Sequence, residues 1–139
     1  MENKINFTSI LNWLKSTEMF ARQSKQILGK WHLVEYYTET ENELRNITEA
    51  QLKTENELWN IEFTEKKNYS HQCNLPVSLV SGIENGTWSI SKNYITLIHP
   101  MNFRNNVEFQ FAIEKEILKM LKKDTFGRIE FFGFFRKMK

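Results

Sequence analysis

His71 and Cys73 stand two residues apart, so on a β-strand both side chains leave the same face. An imidazole beside a thiol is the pairing that metal coordination or a thiol nucleophile would use, and His99 is a third potential ligand further along. A structural zinc, however, takes four ligands at recognisable spacings, and a catalytic thiol needs a lowered pKa and a third group that orients its base. The chain has one cysteine and three histidines and matches neither pattern, so the expected catalytic residues, metal ligands and cofactors are none. Glu35 is the other chemically interesting group. If it faces a core, it needs a partner or a raised pKa, and Lys119 is a candidate partner.

Charge excludes further classes. Nineteen basic and seventeen acidic residues nearly cancel, and Lys115, Lys119, Lys122 and Lys123 lack the interleaved exposed aromatics of a nucleic-acid face, so no nucleic-acid partner is expected. The lone Cys73 cannot form an internal disulfide, which suits a reducing compartment. The first residues carry no apolar run of export-signal length, and no segment is long and apolar enough for a membrane span. The expected location is therefore cytoplasmic.

The elements that must position these residues follow from periodicity. Residues 6–27 place Phe7, Ile10, Trp13, Leu14, Thr17, Phe20, Ala21, Ser24 and Ile27 on one stripe at spacings of three and four, which predicts one amphipathic helix stopped by Gly29. From Leu28 onward the period becomes two, and Trp31, Leu33, Glu35 and Tyr37 share one face of a first strand. Residues 39–56 read as a long polar connection, with a capping box from Thr48 to Gln51 that predicts a short helix ending near Leu58.

Further along, the segments 59–64 and 69–73, 86–90 and 94–98, and 107–113 and 117–123 form three tight hairpins, and Arg128 to Lys137 forms the last strand. On that strand Ile129, Phe131 and Phe135 are expected on one face and Phe132 and Phe134 on the other. Eight strands joined in sequence, without room for crossover helices, predict an antiparallel up-and-down meander barrel in one domain over 1–139, with the helix packed outside it. Tight turns gather at one end, and the longer connections 38–57, 75–83, 100–106 and 123–127 gather at the other. An α+β cone of the cystatin or NTF2-like type is the alternative.

Gly29-Lys30-Trp31, placed after a helix and at the head of these strands, resembles the opening of lipocalin-like domains of the calycin group, small bacterial members included. The resemblance covers residues 28–139. It implies a structural role for Gly29 and Trp31, and for a basic residue on the last strand that packs over Trp31, for which Arg136 is the match.

The resemblance also implies a β-barrel for small-molecule binding, with a hydrophobic ligand held near the open end beneath the segments 39–57 and 75–83. Taking the parity of Trp31 as inward, the expected ligand-binding residues are Glu35, Tyr37, Trp59, Ile61, Phe63, His71, Trp88, Phe109 and Phe111. The expected partner is thus a small apolar ligand and the expected activity is not enzymatic. The alternative is a protein partner, bound by an inhibitor or immunity-type module with a filled barrel.

Overall fold

A computed structural model describes residues 24–75, 85–101 and 106–138. Of the expected N-terminal helix only Ser24 to Ile27 are described: Ser24, Lys25 and Gln26 are helical and Ile27 is in the turn that follows, and the rest of that helix lies outside the described residues. Most of the 75–83 and 100–106 connections lie outside them too.

The described chain forms β1 (Gly29–Thr40), β2 (Glu43–Ile47), a short helix α1 (Glu49–Thr54), and then β3 (Trp59–Phe63) and β4 (Asn68–Cys73). β5 (Asn85–Ser91), β6 (Tyr94–Ile98), β7 (Val107–Glu114), β8 (Ile117–Lys123) and β9 (Ile129–Lys137) follow. All neighbours pair antiparallel, and pairing of β1 with β9 closes β1 and β3 to β9 into an eight-stranded barrel. The predicted meander is thus observed, with one added strand.

β2 is the addition, where the sequence pattern predicts only a polar connection. Glu41 and Asn42 both have positive φ and close a two-residue hairpin between Thr40 and Glu43. One edge of β1 is consequently shared: His32 pairs with Asn60 of β3, Tyr36 pairs with Ile47 of β2, and α1 fits between them. The capping box forms as expected, with Gln51 N–H donating to Thr48 Oγ1 and Thr48 N–H to Gln51 Oε1. Leu52 is the buried residue of α1 and anchors it to the core.

Two bulges reset which residues face inward. Leu33 pairs with Phe135 but Glu35 with Phe134, so Val34 is the extra residue and the parity of β1 changes above it. Tyr36 then joins the interior cluster, whereas Tyr37 packs outside with Leu44, Phe132 and Phe134. A second irregularity, at Lys122/Lys123, leaves Ile129 with Phe132 in the outer cluster rather than with Phe131. The expected grouping of Ile129, Phe131 and Phe135 is corrected for that reason.

The floor of the barrel is built from the opening motif. Trp31 is fully buried, and its indole N–H donates to the Ile27 carbonyl at 2.7 Å. Gly29 has a φ of +116°, and a Cβ there would come within 3.2 Å of Lys137 Cε. The cation over Trp31 is Lys137, with Nζ 5.4 Å from the ring centroid, and not Arg136. Cross-strand partners share a face, and Trp31 pairs with Lys137 while Arg136 pairs with His32. Arg136 instead lies 3.8 Å from Glu49 at the surface.

The β7–β8 hairpin contains an avoidable local cost. Lys115 and Glu116 have φ of 50° and 65°, the left-handed conformation that Asn-Gly adopts most readily. Replacing them together, Lys115→Asn with Glu116→Gly, is expected to stabilise the protein by about 1 kcal/mol. A rise in the urea midpoint with unchanged slope checks this, and a fall would contradict the assigned turn.

Candidate functional site

The end of the barrel opposite Trp31 carries the candidate site. Beyond the bulge, the inner surface of β1 continues upward onto β2, where Tyr36 pairs with Ile47 and Thr38 with Arg45. These four residues, together with Ala50, Gln51 and Thr54 of α1 and with Glu55 and Glu57, line a cleft of about 420 Å³. That volume suits a small ligand.

Its electrostatics centre on the Tyr36 hydroxyl. Burial raises the Tyr36 pKa, Glu57 and Cys73 raise it further, and Arg45 opposes them. The Tyr36 phenol, the Arg45 guanidinium and the Glu57 carboxylate thus share the cleft, and the Cys73 thiol is near enough to influence Tyr36. The Cys73 thiol is itself pushed up by burial, with a backbone hydrogen bond at Leu75 acting against the rise. It stays a thiol at neutral pH, which makes it a poor nucleophile.

Below the cleft, β4 presents Tyr69, His71 and Cys73 at alternate positions, with Tyr69 buried and the other two half-buried. The Trp59 indole N–H donates to His71 Nδ1 at 2.9 Å. His71 Nδ1 is thereby an acceptor, and the ring packs edge-on against Tyr69 with centroids 5.7 Å apart. His99 lies elsewhere, accepting from the Met101 backbone N–H through its own Nδ1. Among the described residues no group of three or more His, Cys, Asp or Glu side chains is placed to hold a metal ion.

The facing half of the interior is filled with rings. Trp59, fully buried, has its ring centroid 5.2 Å from Phe131, 5.3 Å from Phe135 and 6.0 Å from Phe109. β3 and β7 lie opposite one another in the closed sheet, so the Trp59–Phe109 contact spans the barrel at that level.

Trp59, Ile61, Phe63, Trp88, Phe109 and Phe111 all belong to the interior cluster, and His71 contacts it through Trp59 and Tyr69. Glu35 and Tyr37 do not face inward, because the bulge at Val34 turns them outside. Glu35 accepts from Asn46 Nδ2 at 3.2 Å rather than from Lys119, whose ion pair is with Glu114 at 3.8 Å. Burial in the outer wall lowers the Lys119 pKa, and Glu114 partly restores it. The sequence pattern misses Tyr36, Thr38, Arg45 and Glu57. No periodic signal marks β2, because Leu44 shares its face with Asn46 and Ile47 shares its face with Arg45.

The profile of the lipocalin-like domain family matches residues 27–120. This chain is a member of that family. The matched span of the lipocalin-like domain runs from the buried Ile27 through β7 into β8. Among solved structures, a lipocalin-like protein from Bacteroides uniformis is similar, with 16% identity, a TM-score of 0.48, and coverage of 81% of this chain and 99% of that one. No curated protein matches. No described helix of this lipocalin-like protein is long and apolar enough to cross a membrane.

Burial also makes Tyr69 a probe of the interior, since its pKa is raised to about 12. An unfolded tyrosine ionises near pH 10, so the stability contributed by the neutral hydroxyl is intact below pH 10 and is lost as pH rises towards 12. The urea midpoint is expected to fall over that window, and to fall less in Tyr69→Phe. Equal falls in the two proteins would contradict a buried hydroxyl at this position.

Proposed function

We propose that this lipocalin-like barrel is a non-catalytic binding protein for a small, mainly apolar molecule, held at the open end. The molecule would occupy the cleft beneath β1 and β2, with its inner end against β4. The observation that supports this most is the line of Tyr69, His71 and Cys73 inside an otherwise apolar barrel, leading to the mouth where Tyr36, Arg45 and Glu57 converge. Apolar walls with a few converging polar groups are the usual make-up of a small-molecule site: the walls supply affinity, and the polar groups fix orientation.

The test is titration of intrinsic tryptophan fluorescence with 1-dodecanol and with dodecanoate. A saturable change with at least one probe is expected, and Ala50→Phe, at an exposed position on the cleft wall, should weaken it by tenfold or more without moving the melting temperature. The Trp59–Phe109 contact across the barrel favours a second reading, in which a filled barrel docks onto a protein. That reading requires no saturable response to either probe.

A further inference from the structure

The barrel wall is one sheet thick, yet part of its outer face is as thoroughly buried as its interior. Ala112 of β7, Leu121 of β8, and Ile129 and Phe132 of β9 form the outer cluster, and each is at most 3% exposed. Tyr37, Leu44 and Phe134 pack against them but are only half-buried themselves, so they border the cluster rather than roof it. No described element lies across this face: β7, β8 and β9 make their main contacts with their neighbours in the sheet. A sheet face is buried only when a second layer rests on it.

That layer belongs to this chain, because the burial is complete within a single copy. Outside the described residues the chain has 1–23, 76–84, 102–105 and 139. The 76–84 connection joins β4 to β5, which stand across the closed sheet from β8 and β9. The 102–105 stretch is four residues held at both ends between β6 and β7, too short to roof three strands. Residues 1–23 are left. They carry Phe7, Ile10, Leu11 and Leu14 at helical spacings, with Ser9, Asn12 and Ser16 on the opposite side.

We propose that the outer face of β7, β8 and β9 is the docking surface for residues 6–16, seated on it as an amphipathic helix by Phe7, Ile10, Leu11 and Leu14. Eleven helical residues make a rod of about 16 Å, enough to lie across three strands spaced about 4.8 Å apart. The described chain begins elsewhere, since Ser24 and Lys25 line a cleft with Glu65, Lys67 and Trp88 by the β3–β4 turn, so the segment must turn to reach this face. Ser16 and Thr17, whose hydroxyls compete for backbone hydrogen bonds, are the place for the expected helix to divide. Residues 17–23, when extended, reach about 23 Å, enough to pass beneath the barrel towards β8. A layer here also accounts for Lys119, whose side chain lies on the same outer face beside Phe134 yet is 15% exposed, whereas its ion partner Glu114 is 63% exposed.

The test places a nitroxide spin label at residue 12 of the full-length chain, as Asn12→Cys with Cys73→Ser, and reads line broadening of backbone amides by NMR. The strongest broadening is expected at Ala112, Leu121 and Phe132. A mixture of labelled chain without ¹⁵N and unlabelled chain with ¹⁵N should show none. Broadening in that mixture means that a second copy supplies the layer and overturns the proposal, as does any pattern that spares these three residues. Independently, Leu14→Ala should lower the urea midpoint, and lower it less in a Phe132→Ala background, where part of the contact is already gone. An unchanged midpoint overturns the docking, and so do equal losses in the two backgrounds, which would place Leu14 against some other surface.

Discussion

Trp59→Ala is expected to lower stability by about 3 to 5 kcal/mol, among the largest costs of any single truncation in this barrel. Trp59 is fully buried and meets Phe131, Phe135 and Phe109 with ring centroids between 5.2 and 6.0 Å away, so its removal leaves a void that three rings on two other strands cannot close. The substitution also takes away the donor to His71 Nδ1. A site whose neighbours are themselves locked by packing relaxes little, which places the cost towards the upper part of the range. Urea denaturation at neutral pH measures it. A loss below about 1.5 kcal/mol, with an unchanged slope, would mean that Trp59 borders open space rather than filling the middle of the barrel.

Gly133→Ala should cost about 1 to 3 kcal/mol by the opposite mechanism, overpacking. Gly133 faces inward between Tyr36 and Met120, and a Cβ there would overlap the Phe131 ring and come within 3.0 Å of Leu33 Cδ1. The ring has no room to withdraw, since Phe131 is fully buried against Tyr36, Trp59, Phe109 and Phe135. The glycine in Phe131-Phe132-Gly133-Phe134-Phe135 is thus the space that one large ring occupies. Phe131→Leu in the Gly133→Ala background should return part of the loss, giving a coupling energy of favourable sign. Strictly additive effects would contradict the packing described.

The barrel was legible in the sequence because its strands alternate cleanly from Trp59 to Phe111, and a period of two says directly which side chains share a face. Trp59, Ile61, Phe63, Trp88, Phe109 and Phe111 accordingly face the interior as their alternation predicts. The failures lie where the period is interrupted. Leu33-Val34-Glu35-Tyr36-Tyr37 offers an aromatic at either parity, so nothing in the residue types reveals that Val34 is an extra residue and that Tyr36, not Tyr37, turns inward. Likewise Arg136 and Lys137 are adjacent cations, and only the register with β1 decides which one meets Trp31.

β2 escaped for a different reason. Glu43-Leu44-Arg45-Asn46-Ile47 buries little, so it lacks an apolar face, and its closing turn uses Glu41-Asn42 where Asn-Gly would have been the strong signal. The consequence is functional, because β2 supplies Arg45 and Ile47 to the cleft. The residues best placed to contact a ligand at the mouth were therefore the least legible ones.

Mapping of backbone amide shifts by NMR during titration with 1-dodecanol tests the binding function most directly. The expected result is a saturable set of shifts on upper β1, β2, α1 and the Tyr69–Cys73 segment of β4, with the outer cluster around Leu121 and Phe132 unmoved. Shifts confined to that outer cluster, or no saturable shift at all, would contradict a ligand site at the open end of the barrel.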